Sequence, residues 1–102
     1  MKDKAEQKHD RIVNTTYQRL MKHYVTLEKF LPYSNNGISG EIDIFAERGP
    51  WNHFYEIKSH YSHKSLARAK EQFARFRSAY PGLLIKGIYV TPERVLRLRG
   101  DK

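Results

Sequence analysis

Two short stretches decide how this chain folds: GEIDIFA at Gly40–Ala46 and FYEIKS at Phe54–Ser59, with ERGPWNH between them. The first alternates. In an extended strand Ile42, Ile44 and Ala46 fall on one face and Glu41, Asp43 and Phe45 on the other. In the second, Phe54, Glu56 and Lys58 share a face, and Tyr55, Ile57 and Ser59 share the opposite one. Gly49–Pro50 breaks the chain between them, so the pair reads as a hairpin around an Arg48–Trp51 turn. If Asp43 stands opposite Glu56, Phe45 faces Phe54 and the turn has about four residues, a common hairpin length. In that register Glu41, Asp43, Glu56 and Lys58 project from one face.

That placement carries a cost that points to chemistry. Directly opposed side chains have Cβ atoms about 4.5–5.5 Å apart. Two carboxylates at ~4 Å repel by roughly 4 kcal/mol at an effective dielectric of 20. A divalent cation removes that cost, and Lys58 offsets part of it. Mg²⁺ takes oxygen ligands, usually one or two carboxylates completed by water and substrate phosphate. Asp43 and Glu56 are the expected metal-binding carboxylates. The carbonyl of Ile57, between Glu56 and Lys58, is a further candidate ligand. A lysine beside such a site can orient the attacking water or stabilise developing negative charge. The competing reading is an exposed hairpin face with a Glu–Lys ion pair, worth only ~0–1 kcal/mol.

Working outward, Lys4 to about Tyr24 reads as an amphipathic helix. Ala5, His9, Ile12, Val13, Thr16, Leu20 and Tyr24 recur at spacings of three and four. Asp3 suits its N-cap, with Glu6 as capping-box partner. Val25 to Leu31 reads as a short strand stopped by Pro32, and 33–40, YSNNGISG, as a loop. Ser62 or Ser65 can cap a helix running to about Ala79, with Leu66, Ala69, Phe73, Phe76 and Tyr80 as its buried stripe. Pro81–Gly82 ends it. Leu83–Val90 and Arg94–Arg99 read as strands on either side of Pro92. The expected order is α-β-β-β-α-β-β, an α/β (α+β) mixed sheet flanked by helices.

Composition bounds the function. The 102 residues suit a single domain spanning 1–102. The absence of cysteine excludes disulfides, a thiolate nucleophile and cysteine-ligated metal within this sequence. The opening MKDKAEQKHD lacks an apolar signal core, and no apolar run approaches the ~20 residues of a membrane span. The expectation is an intracellular, cytoplasmic chain without a membrane partner. The net charge is +8, which favours polyanions. It is unevenly placed, with a balance of +1 over residues 1–61 and +7 over 62–102. Carboxylates concentrated beside a basic half suit a metal-dependent enzyme acting on phosphodiesters better than a simple phosphate-binding module.

The spacing Asp43–x₁₂–Glu56–Ile57–Lys58, on GEIDIFA and FYEIKS, resembles the active-site signature of the PD-(D/E)XK nuclease superfamily. The expected element order is also the one that family's core requires, so the resemblance covers nearly the whole chain. The proline of the family name is absent, since Ile42 precedes Asp43. The resemblance implies that Asp43 and Glu56 bind Mg²⁺ or Mn²⁺ and that Lys58 is catalytic. The small archaeal Holliday-junction resolvases of that superfamily also use a metal-site glutamate in the first helix. Glu6 is the best match, with Asp10 second. The small-residue loop Ser39–Gly40 is similar to that branch, and Gln72 falls where related nucleases place a polar helix residue near the metal.

Lys64, Arg68 and Arg75 follow one side of the second helix and suit phosphate clamping or plain solubility. Glu41 reads as a support to the metal ligands or as an exposed strand residue. His60 and His63 suit phosphate contact, Trp51 and Tyr61 base stacking. The expected function is a structure-selective endonuclease that cuts DNA phosphodiester bonds as a homodimer. A non-catalytic nucleic-acid-binding or assembly module on the same fold is the alternative.

Overall fold

The computed structural model describes residues 3–98. Helix α1 spans Lys4–Leu20 and opens as its sequence dictates, with the Asp3 carboxylate accepting the Glu6 N–H at 2.8 Å. Strands β1 (Thr26–Asn35), β2 (Ile38–Arg48) and β3 (Trp51–Ile57) form a meander. Helix α2 (His63–Ala79) follows, capped by Ser62 through the Ser65 N–H. Strands β4 (Ile85–Val90) and β5 (Val95–Leu98) complete the chain. The five strands make one sheet in the order β1-β2-β3-β4-β5. Only β3 and β4 run parallel, because α2 carries the chain back across the sheet between them. The fold is α+β with a mixed sheet, in the element order the sequence predicts.

The helices cover opposite faces. Ala69, Phe73 and Phe76 of α2 pack with Ile42, Phe54, Tyr89 and Leu98. Val13 of α1 packs with Ile44, Ala46, Tyr55, Ile57 and Val90. Ile42 therefore lies under a different helix from Ile44 and Ala46, against the strict alternation expected for GEIDIFA. The partner strand reverses at the same level. Leu27 and Phe30 face the α1 cluster, whereas Leu31 and Tyr33 face the α2 cluster. The ladder runs Lys29↔Ile44 and then Leu31↔Ile42, skipping Phe30 and Asp43. Phe30 has φ 53°, a left-handed conformation that a bulky residue adopts only at a cost. Both strands exchange faces at this rung without losing register.

Several boundaries differ from the sequence reading. The first strand does not stop at Pro32 but continues to Asn35. Because β1 is an edge strand, the missing proline N–H deprives no neighbour of a hydrogen bond. The expected loop at 33–40 shrinks to the turn Asn36–Gly37, with φ 55° and 75°, the backbone that two-residue hairpins require. Asn35 and Asn36 donate from their side-chain amides to the Ala79 carbonyl, closing the C-terminal end of α2. Ser39 and Gly40 lie within β2 and not in a loop before it. Helix α1 stops at Leu20, and Tyr24 beyond it bonds instead to His53 Nδ1 and the Tyr55 hydroxyl. The β2–β3 turn sits at Gly49–Pro50, inside the expected Arg48–Trp51 turn. The strand expected over His53–Ser59 instead runs from Trp51 to Ile57. Arg99, expected to end the last strand, lies outside the described residues.

Gly87 of β4 is the tightest point under α2. A Cβ there would stand 2.8 Å from Leu98 Cβ and 2.9 Å from the Phe73 ring. Gly87→Ala should therefore lower stability by about 1–3 kcal/mol through overpacking, read as a shift in urea midpoint at unchanged m-value. An unchanged midpoint would show that this core yields more easily than its packing implies.

Candidate active site

The rung where β1 and β2 exchange faces is also where β2 and β3 part. Their ladder ends at Ile44↔Tyr55. Beyond it the inward-facing polar groups of Ile57 need other partners, since an unsatisfied buried backbone group costs about 1–3 kcal/mol. Asp43 supplies one: its Oδ2 accepts the Ile57 N–H at 2.8 Å. His9, arriving from α1, supplies the other. Its Nε2 donates to the Ile57 carbonyl at 2.9 Å and lies 3.3 Å from Asp43 Oδ2. A carbonyl only accepts, so Nε2 carries a proton. Nδ1 faces Asp10 Oδ1 at 3.4 Å. The hydrogen bond to Asp43 and its charge hold the imidazole protonated, with its pKa raised to about 9 against the opposing effect of burial. The Asp43 carboxylate and the Ile57 carbonyl thus already converge on one positive charge.

Glu56 stands beside this pair. It is 3 % exposed, and burial pushes its pKa up to about 7; the Asp43 charge adds to the rise, while Lys58 and His9 oppose it. Lys58 Nζ lies 3.2 Å from Glu56 Oε2. Asp43, Glu56, the Ile57 carbonyl and Lys58 are thus neighbours, although the ladder ends before the expected Asp43–Glu56 pair forms. An open cleft of about 880 Å³ adjoins them, lined from α1 by Ala5, Glu6, His9 and Asp10, from the sheet by Phe30, Glu41 and Lys58, and from α2 by Arg68. Glu6 and Glu41 both line it. Among the described residues no three His, Asp or Glu side chains converge as a ready-made metal cage. A cation here would rest on two carboxylates and one carbonyl, with water or substrate supplying the remainder, a donor set that suits Mg²⁺ or Mn²⁺.

The other expected site residues are dispersed. Arg68 reaches the cleft, while Lys64 and Arg75 stand exposed on α2 away from its lining. Ser39 is exposed in the β1–β2 hairpin opposite Ser34 and does not line the cleft. Gln72 sits one helical turn after Arg68, and its Oε1 is buried with no hydrogen bond among the described residues, a deficit that a donor or cation would relieve. Trp51 lies beneath the Lys86 ammonium, 4.8 Å from its ring centre. The residue that sequence reasoning placed in the helix's packing stripe, and not in the site, is His9. Its signal was present: Glu6, His9 and Asp10 share one face of α1 at spacings i, i+3 and i+4.

No family model and no curated protein matches the chain. Several solved structures share its fold, AF1548 and SSO0001 among them. AF1548, titled a protein of unknown function, has TM-score 0.64 and 20% identity over 82% of this chain. SSO0001 has TM-score 0.62 and 19% identity over 93% of this chain. This chain spans 46% and 50% of those two chains.

The position of Glu56 sets a pH dependence. Its folded pKa of about 7 lies above the ordinary 4.5, so the fold favours the protonated acid. That contribution is complete below about pH 4.5 and is lost as pH rises through 7. Glu56→Gln should match the parent near pH 4 and exceed it by roughly 1–3 kcal/mol above pH 7. Urea titrations at the two pH values check this, and equal stability of the two proteins at pH 8 would contradict it.

Proposed function

We propose that this chain is a metal-dependent nuclease that hydrolyses DNA phosphodiester bonds. The observation that carries the reading is the meeting of Asp43, Glu56, the Ile57 carbonyl and Lys58 beside one cleft in a strongly basic protein. The resemblance of GEIDIFA and FYEIKS to the PD-(D/E)XK signature, carried by the same residues, supports it. Asp43, Glu56 and the Ile57 carbonyl would hold Mg²⁺ or Mn²⁺. When bound there, such an ion supplies charge stabilisation at the phosphoryl oxygen. Lys58 keeps one N–H on Glu56 and offers its others to the phosphate, where they stabilise the charge that builds in the transition state. Without metal, burial holds the Glu56 proton up to about pH 7, so a cation taking Glu56 as ligand would displace that proton. Arg68, across the cleft, is placed to hold a phosphate. Among the described residues the cleft offers shape and charge but no helix or ribbon built to enter a groove, which favours a structure-selective enzyme of Holliday-junction-resolvase type. The proposed active form is a homodimer working in the cytoplasm. Among the described residues no helix is long and apolar enough to cross a membrane.

One observation favours a second reading, a non-catalytic nucleic-acid-binding module. His9 already joins Asp43 to the Ile57 carbonyl and so satisfies without metal the groups that metal would join.

The two readings part on labelled four-way junction, duplex and single-stranded DNA, incubated with Mg²⁺, Mn²⁺ or EDTA. The nuclease reading expects metal-dependent cutting, lowered at least a hundred-fold by Asp43→Asn or Lys58→Ala, with DNA binding by Asp43→Asn retained. Full activity in Asp43→Asn would sink the active-site assignment. Binding without cutting on every substrate would establish the module instead.

A further inference from the structure

Because β3 and β4 run parallel, their C-terminal ends lie side by side, and the Lys58 N–H donates to the Val90 carbonyl at 2.9 Å. Two segments leave the sheet there: residues 58–62, leading into α2, and the turn 91–94, leading into β5. The C-terminal ends of parallel strands are where open sheets commonly meet ligands.

The turn is firmly built. Thr91 is buried, and its Oγ1 accepts the N–H groups of Glu93 and Arg94 at 3.3 and 3.0 Å. The Thr91 N–H donates to the Arg94 carbonyl at 2.8 Å. Glu93 crosses to the other segment, accepting the Tyr61 N–H at 3.1 Å. Arg94 then lies over Tyr61, with its guanidinium carbon 4.1 Å from the ring centre. Tyr89 and His63 brace that ring edge-on. Among the described residues Arg94 has no carboxylate partner, and the acid next to it is engaged with the Tyr61 amide. A planar cation is thus held in place, exposed and without a carboxylate partner among the described residues, beside the segment that starts at Lys58. Burial of a neutral aromatic under a mobile lysine would not need this bracing.

We propose that the Tyr61–Arg94 stack is a platform for an unpaired base of the nucleic-acid strand entering the cleft. The base lies on the outer face of the guanidinium, which stacks on aromatic rings as an ammonium cannot. A fully paired duplex keeps its bases within its own stack and gains nothing from the platform. The inference rests on the nuclease reading for the identity of the ligand and for nothing else.

The test is fluorescence anisotropy in EDTA, with a labelled oligothymidylate single strand and a blunt duplex of equal length. Arg94→Lys keeps the charge and removes the plane. It should weaken single-strand binding about ten-fold and change duplex binding by less than about two-fold. Tyr61→Leu should act in the same direction, and Tyr61→Phe should not. Thermal unfolding of each variant identifies any loss that comes from misfolding. Unchanged single-strand binding in a folded Arg94→Lys overturns the proposal. So does an equal loss on both probes, which would make Arg94 a plain phosphate contact. Because metal is withheld, the result is independent of cleavage. A chain that never cuts but shows this Arg94 dependence loses only the nuclease reading.

Discussion

The bond from the Ile57 N–H to Asp43 Oδ2 is the constraint around which the rest is arranged. A sheet that continued its ladder between β2 and β3 would pair the Ile57 amide and carbonyl with backbone, leaving Asp43 at the surface. Here the ladder stops one rung short, and a side chain takes the place of a strand. That substitution turns an ordinary hairpin into a site. It buries a carboxylate, turns the Ile57 carbonyl from the ladder to His9 and sets Glu56 beside both. The reversal of faces in β1 and β2 belongs to the same event. With Phe30 held at φ 53°, the two strands can direct Ile42 and Leu31 under α2 while Ile44 and Leu27 stay under α1. Strain of this kind persists only where the surroundings over-determine it, and here two hydrophobic clusters do so.

The electrostatics follow from the burial. Asp43 and Glu56 are both nearly sequestered from water, and two neighbouring carboxylates in that setting cannot both ionise cheaply. The fold answers with His9 and Lys58, one cation on each acid. The compensation is incomplete, since Glu56 still holds its proton up to about pH 7. A site that costs stability when ionised is characteristic of a place kept for chemistry or binding. The same arithmetic shows why His9 matters to both functional readings. It is the group that any incoming cation must join or displace.

Around this centre the cationic side chains are graded by fixity. Lys58 is tied to Glu56 and Arg94 lies on Tyr61, whereas Lys64 and Arg75 stand exposed on α2. Fixed cations fit recognition of a defined phosphate or base, and free ones fit the general attraction of a polyanion.

Local pattern determined a great deal. Alternation in GEIDIFA and FYEIKS, the Asp3 and Ser62 caps and the three-four spacing of Phe73 and Phe76 yielded the element order, the hairpin register and the neighbours Asp43, Glu56 and Lys58. Each of these depends on residues close in the chain, where backbone geometry alone fixes which side chains meet. What escaped depends on contacts between distant segments. Pro32 and the Ser39–Gly40 stretch read as loop because nothing local says that β1 is an edge, where a missing N–H is harmless. Ile42 was assigned to the wrong face because alternation assumes an unbroken pleat, and the break at Phe30 and Asp43 is imposed by two helices packing on opposite sides. His9 looked like a packing residue because its partners, Asp43 and Ile57, lie 34 and 48 residues away. The sequence by itself determined which groups could do chemistry; only the tertiary structure decided which of them share a charge, because that depends on where the sheet opens and which helix fills the gap.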